Sequence, residues 1–583
     1  MVKKNLSCYL SSKNDLSKLI YVGMIHEKEK LNIIKKNKNI IFCKNSIDFS
    51  STKKLLAHYD ICDKAYKILL KKIFNILNKI HQVKFTKKQW QIIIGEWLRQ
   101  FIYIIYYNYN KLKPHITNKK KFKKIIYTYN DHEFLQTNLL DFSHSFNDKI
   151  WNEKLNGKIL NFFLKNYKNK IIIKKKNKHT KKNKKIFSQN YFYKIFKLTN
   201  SLEKKNQPYI YKTTFGLINE KKLEMNFGFI PKLNFFPSSE KNLKINLDIR
   251  SKLKEFCKGN SIKHCDFELL VLDLLPIYLS TSYLEEFKKM NDFIENYALP
   301  IKPKYFLTSY NTFDEYFNLY MAKTINKKIP LVYVQHGNIS SNDIKYKYST
   351  ENKIADYILT WGHKVSKKDI RLFNAKTFAK KKVEKNNNIN LSIFSQPIRQ
   401  HTCFSDISER TTNEIRMNFI LKQLSNLNKK IKTNSYFNLF PADSSSDKDY
   451  YEAKLKKYGF ECYKSKNFLE INSKSKLNLF LYETTGFHES LALNVPCLVY
   501  LEKPFKNISV KYRSVYKNLI NSQLIFTDLN KLMTHIEKIW HDPNKWWYSK
   551  DVRKSVLNFN NNMNLSNTSN FKKLIKILKN LEN

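Results

Sequence analysis

Arginine is scarce in this chain, with 8 Arg against 98 Lys in 583 residues, and glycine is scarce too, at 10. The formal charge of +57 ordinarily points to nucleic acid or an anionic membrane surface. Bidentate recognition of bases and phosphates, however, relies on the guanidinium fork, which lysine lacks. Lys, Asn, Ile, Tyr and Phe are abundant and share AT-rich codons. Genomic bias therefore accounts for the composition, and no nucleic-acid partner is expected. The charge still favours anionic substrates or peripheral contact with an anionic membrane.

Other absences narrow the field. The eight cysteines form no CxxC pair, so zinc and disulfide frameworks are not expected, and a reduced, cytoplasmic location is the default. Lys13, Asp15 and Lys18 interrupt the apolar core that a signal peptide needs. No uncharged apolar run reaches about 18 residues; the longest, Leu269 to Leu284, contains Asp273 and Pro276. The expected place is the cytoplasm, with peripheral contact at the inner face of its membrane left open.

What is present suggests two cores. The length exceeds what one hydrophobic core supports, and 42% hydrophobic residues with 14% aromatics can fill more than one. Helical patterns run from Asp60 to His81 and from Lys88 to Tyr107, the second apolar on most sides and so buried, with Trp90 and Trp97 as core. The block at about 156–205 is Lys/Asn-rich and reads as a solvated insertion. Strand, helix and strand then alternate through Phe306, Asp314 to Asn326, and Leu331 to Val334, which is the pattern of a parallel, doubly wound sheet. A charged helical segment is expected after Trp361, then a strand at Asn390–Phe394 and a linker from Gln400. A second unit begins with strands at Ser435–Phe440, Leu477–Leu481 and Cys497–Leu501, and from Leu524 on the pattern looks helical. The expected division is 1–400 and 401–583.

The stretch from Leu331 to His363 is where chemistry is expected first. Its opening strand ends in Gln335-His336-Gly337, and ligands of open α/β sheets bind beyond the carboxyl ends of strands. His336 can serve as general base or donate to a phosphate, because its pKa normally lies near neutrality. Gln335 and the backbone at Gly337 can orient phosphate or sugar oxygens. Asp131 and Asp314 are further possible bases, although acidic residues at helix starts are commonly caps. In the second unit, Thr484-Thr485-Gly486 stands at a strand-to-helix turn, where unpaired N–H groups make an anion site. Glu489, a turn later, can accept hydrogen bonds from a ribose diol. The plainer reading is that Thr484 caps the helix and Glu489 is solvated. Asp443, with Ser444, and Arg399 follow other strand ends; an arginine there can pair with phosphate.

Thr484, Thr485, Gly486, Glu489, Ala492, Leu493 and Pro496 resemble the donor-nucleotide motif of GT-B glycosyltransferases. The wider series is similar to a group of transferases from bacterial surface-polysaccharide and lipopolysaccharide loci. It comprises Leu77 to His81, Trp90, Ile94 to Leu98, Asn130-Asp131 with Glu133-Phe134, Pro303 to Tyr305, Gln335 to Gly337, Ile354 to Asp356, Thr360 to Gly362, Ile539-Trp540 and Trp546-Trp547. The chain departs from that pattern at Glu96, where proline is expected after Gly95. The resemblance implies two Rossmann-like α/β domains facing across a cleft. It implies a nucleotide-sugar donor as substrate rather than a resident cofactor, and a glycan or lipid-linked acceptor. It also implies no metal, since helix dipoles and basic groups can offset leaving-group charge. A nucleotide-sugar epimerase of the same fold and a charge-driven nucleic-acid-binding protein, with steep salt dependence, are the alternatives.

Overall fold

A computed structural model of the chain describes residues 51–117, 135–163, 207–380, 390–395 and 413–581, apart from short intervening stretches, and four strands at 19–21, 40–42, 125–128 and 170–173. Most of the Lys-rich block and the polar stretch 400–412 lie outside the described residues.

The Leu331–Val334 run does form a strand, and all four residues are buried. That continuous burial is what a parallel strand covered on both faces requires. It is the centre of a five-stranded sheet: β1 (Tyr209–Tyr211), β2 (Phe306–Thr308), β3 (Leu331–Val334), β4 (Tyr357–Thr360) and β5 (Asp369–Arg371), in that spatial order and all parallel. Two long helices, α1 (Thr52–His81) and α2 (Lys87–Thr117), share one core with this sheet. Trp90 and Trp97 are fully buried in it, as the all-round apolar pattern of α2 requires. A shorter helix, α3 (Glu315–Thr324), packs between α2 and the sheet and is buried along most of its length.

The second sheet has six strands: β6 (Asn390–Ser395), β7 (Ser435–Leu439), β8 (Glu461–Cys462), β9 (Ser475–Phe480), β10 (Cys497–Tyr500) and β11 (Ile525–Phe526). Their spatial order is β8-β7-β6-β9-β10-β11, all parallel. Counted within the sheet this is 3-2-1-4-5-6, the order of dinucleotide-binding folds, with its crevice where β6 and β9 diverge. The two-domain α/β architecture is therefore present.

Three expectations need correction. Strand β6 was placed in the first domain, but it pairs with β7 and β9, and Leu391 and Ile393 are buried in the second core. Leu372, Phe373 and Phe378 still pack with the first sheet, so the change of core lies after them and before β6. The described part of the segment after Trp361 is not the expected helix: the Asp369 carboxylate accepts from the backbone N–H of Val365 and Ser366, each at 2.8 Å, closing a turn into β5, and a single 3-10 turn at Ala375–Thr377 follows. The region from Leu524 opens with edge strand β11 before its helices.

The C-terminus also returns to the first domain. After helix α4 (Thr485–Ala492) and helix α5 (Lys550–Met563), the Leu565 N–H donates to the Trp361 carbonyl at 2.7 Å, and Asn374 donates to the Leu565 carbonyl at 2.7 Å. Gly362 permits this: its φ is +131°, and a Cβ there would lie 3.0 Å from Leu565 Cγ. The last helix, α6 (Lys572–Asn580), then buries Leu574 and Leu578 against Val332 and Leu359 of the first sheet. Replacing Leu574 with Ala should destabilise the chain by about 2–5 kcal/mol, read from denaturant unfolding.

Candidate active site

Strand β3 delivers the Gln335-His336-Gly337 turn, and Gln335 fixes its shape. Its side-chain Oε1 accepts from the Trp361 N–H at 2.8 Å, and Nε2 donates to the Gly337 carbonyl at 2.7 Å. Its own carbonyl accepts from Trp361 Nε1 at 3.1 Å. Both ends of the amide are thus engaged inside the protein. Gln335 thereby ties the ends of β3 and β4 together.

His336, next in line, is half-buried. Burial, and then the positive charge of Lys376, push its imidazole down to about 4. Since 39% of the side chain still reaches solvent, the direction is what matters: the ring is neutral near pH 7 and able to accept a proton. The other histidine of this edge, His363, is buried, and burial holds its pKa down at about 3. It packs against Tyr512 and belongs to the domain contact.

On the other side, β9 runs through Glu483 into α4. The Thr484 hydroxyl oxygen accepts from the Phe487 N–H at 3.1 Å, so Thr484 is the helix cap. Thr485 opens the helix, and Gly486 follows in its first turn. The decisive distance lies here: a Cβ built on Gly337 would sit 3.3 Å from Thr485 Oγ1. The turn from β3 and the turn from β9 are in direct contact across the two domains.

Glu489 is buried on α4 and not solvated. Its Oε2 lies 3.6 Å from Lys380 Nζ of the first domain. Burial raises its carboxyl pKa, and Lys380 and Lys376 oppose that rise. Beside it, His488 Nε2 lies 3.2 Å from Glu483 Oε1, which also accepts from the Tyr516 hydroxyl. Backbone contacts continue the junction, with the Ile344 N–H donating to Asn507 at 3.1 Å and the Lys364 N–H to the Tyr512 hydroxyl at 2.7 Å.

Asp314 is not placed as a base. It caps α3 through the Phe317 N–H at 3.1 Å and also holds the Tyr211 hydroxyl and Lys212, each at 2.6 Å. Asp131, Asp443, Ser444 and Arg399 lie outside the described residues. Sequence reasoning passed over Lys376 and Lys380, which stand between the two turns, and Glu96, Arg99 and Glu351, which lie behind His336. Among 98 lysines no single one carries a signal. Glu351, after Ser349-Thr350, reads as an ordinary first-turn helix acid.

A family model described as LIC12162 family transferase matches residues 10–578. The chain belongs to that family. The family resemblance read from the sequence therefore holds, and the chain is a member of a family of enzymes that transfer groups. No curated protein matches this family member in sequence. Among solved structures, it is similar to S. aureus MnaA with UDP, at 13% identity and a TM-score of 0.35, covering 65% of this chain and 98% of that one. A Listeria monocytogenes protein described as a UDP-N-acetylglucosamine 2-epimerase gives 13% identity and a TM-score of 0.36, with 65% and 96% covered. Gln335→Ala in this chain should lose about 1–3 kcal/mol through the unpaired Trp361 and Gly337 groups, seen in thermal unfolding without any ligand.

Proposed function

We propose that this transferase moves a glycosyl group, or a sugar phosphate, from a nucleotide-activated donor to a hydroxyl of a bacterial surface glycan or its lipid-linked precursor. The observation that carries the reading is the contact between Gly337 and Thr485, which puts a titratable side chain from one domain beside a helix N-terminus from the other. Helix α4 presents N–H groups at Thr485 and Gly486 to the donor phosphates, where the helix dipole favours negative charge. Glu489 accepts from the ribose hydroxyls. Neutral His336 takes the proton from the acceptor hydroxyl as the acceptor oxygen bonds to the transferred sugar carbon or, where a sugar phosphate moves, to its phosphorus. The bond to the leaving phosphate oxygen breaks, and its electron pair departs with the nucleotide.

Lys376 and Lys380 offset that developing charge, the part a divalent metal plays elsewhere, so turnover is expected to persist in EDTA. Arg399 follows β6, a strand that borders the crevice of the second sheet, and Asp443 follows β7, and both are assigned to the donor. Asp131 is kept as a second candidate base. A basic chain acting on lipid-linked acceptors suits peripheral contact with an anionic membrane; no helix among the described residues is long and apolar enough to cross one.

The test is thermal unfolding with UDP-N-acetylglucosamine, UDP-glucose, GDP-mannose and CMP-N-acetylneuraminic acid. One of them should stabilise the chain, by about 2.7 kcal/mol at a hundred times its Kd, and Glu489→Ala should abolish the gain. Stabilisation by none of the four, or a full effect in Glu489→Ala, overturns the donor site.

A further inference from the structure

Behind His336 lies a cavity of about 200 Å³, lined by Glu96 and Arg99 of α2, Asn318 of α3, Tyr333 of β3, and Tyr346 and Glu351. Apolar and polar side chains line it together, and its charges are arranged. Arg99 holds Glu96 by two bonds, from Nε at 2.8 Å and from Nη2 at 2.5 Å. That leaves Glu351 as the carboxyl next to the imidazole, its Oε1 being 3.9 Å from His336 Nδ1. Gly95 lets the residue before Glu351 approach α2 closely, since a Cβ there would lie 2.8 Å from the Tyr66 hydroxyl and 3.2 Å from Thr350 Cγ2.

We propose that Glu351 is the positioning residue for His336: it receives the Nδ1–H and so presents the other ring nitrogen, Nε2, to the acceptor hydroxyl. The proposal rests on His336 being the base in the reading above. The separation of 3.9 Å exceeds a hydrogen bond, but such pairs are often long without substrate and tighten in the complex. In the transfer step the acceptor proton moves to Nε2, and the Nδ1–H stays on the ring, donated to the Glu351 carboxylate. The acceptor oxygen bonds to the sugar carbon, and the leaving phosphate takes the electrons of the bond it loses. A carboxylate that orients an imidazole and stabilises its cation is a general solution to this step.

The surroundings decide when the pair is competent. Glu351 faces Glu96 and Arg99 from α2, Tyr346 from the preceding turn, and Tyr333 and His336 from β3; Lys376 faces His336. Burial first, and then Glu96, push the Glu351 carboxyl up to about 7, with Arg99 opposing. Below that pH the group is protonated and cannot act as the acceptor the role needs. The sign for stability is the reverse. A carboxyl raised above its ordinary value contributes stability that is full below its unfolded pKa and lost as pH rises through about 7. The working state of Glu351 is thus the less stable one, which is expected where burial serves chemistry.

The test uses the full chain with isotope-labelled histidine, the His336 ring signals being identified by their loss in His336→Ala. In the parent these signals should move with a step near pH 7, separate from the protonation of the ring at lower pH. In Glu351→Gln, which cannot ionise, the step should vanish. Glu351→Asp keeps a carboxylate one methylene shorter and should retain a reduced step; it decides the matter if Glu351→Gln does not fold. The same titration in parent and Glu351→Gln, or no step in the parent, overturns the pairing. The readout needs no substrate. A step present while no nucleotide sugar stabilises the chain leaves the pair standing and removes the donor reading, whereas the opposite result does the converse.

Discussion

The proposed centre depends on one close approach: the backbone at Gly337 lies so near Thr485 that a side chain at the glycine would press on the hydroxyl. Such proximity cannot be held by the turns alone. It requires two sheets docked at fixed distance, and the chain achieves this by covalent return. The segment around Leu565 bonds to the ends of β4 and of the turn after β5, and α6 then becomes part of the first core. The domains are therefore joined by these bonds as well as by the connecting chain, beside the Gln335–Gly337 turn that Trp361 contacts. Polar bridges near Asn507 and Tyr512 reinforce the junction.

The electrostatics follow from the same geometry. Bringing Glu489 out of solvent raises its carboxyl, and lysines from the opposite domain answer it. On the other side of His336, two acids are enclosed with a single arginine. Arg99 is one of 8 in the chain, and it sits where a planar, bidentate donor matters. With so few arginines in the chain, lysine supplies the diffuse charge while an arginine stands at this point.

Much of the fold was legible because continuous apolar runs such as Leu331–Val334 and Cys497–Tyr500 announce buried parallel strands. The strand-to-helix turn at Thr484 was legible for a related reason, since a hydroxyl cap and glycine stand between a strand and an amphipathic run. The register of Asn390–Ser395 was not. Which sheet a strand joins is a tertiary choice, and polar sequence on its carboxyl side suggested a domain end that the pairing with β7 and β9 overrides. The return of α6 was equally hidden, because an amphipathic helix does not say which core its apolar face will meet. At the site, the residues on strand ends could be named in advance. Glu351, Lys376 and Lys380 could not, because their importance arises only from what the fold sets against them.

The most direct test is a double-mutant cycle between the two turns, measured by unfolding without ligand. Gly337→Val should destabilise by about 1–3 kcal/mol through overpacking, and Thr485→Ala should relieve that penalty when both are present. A coupling energy above about 1 kcal/mol supports the contact that joins the two motifs, whereas effects that add within about 0.5 kcal/mol would show that the turns do not meet.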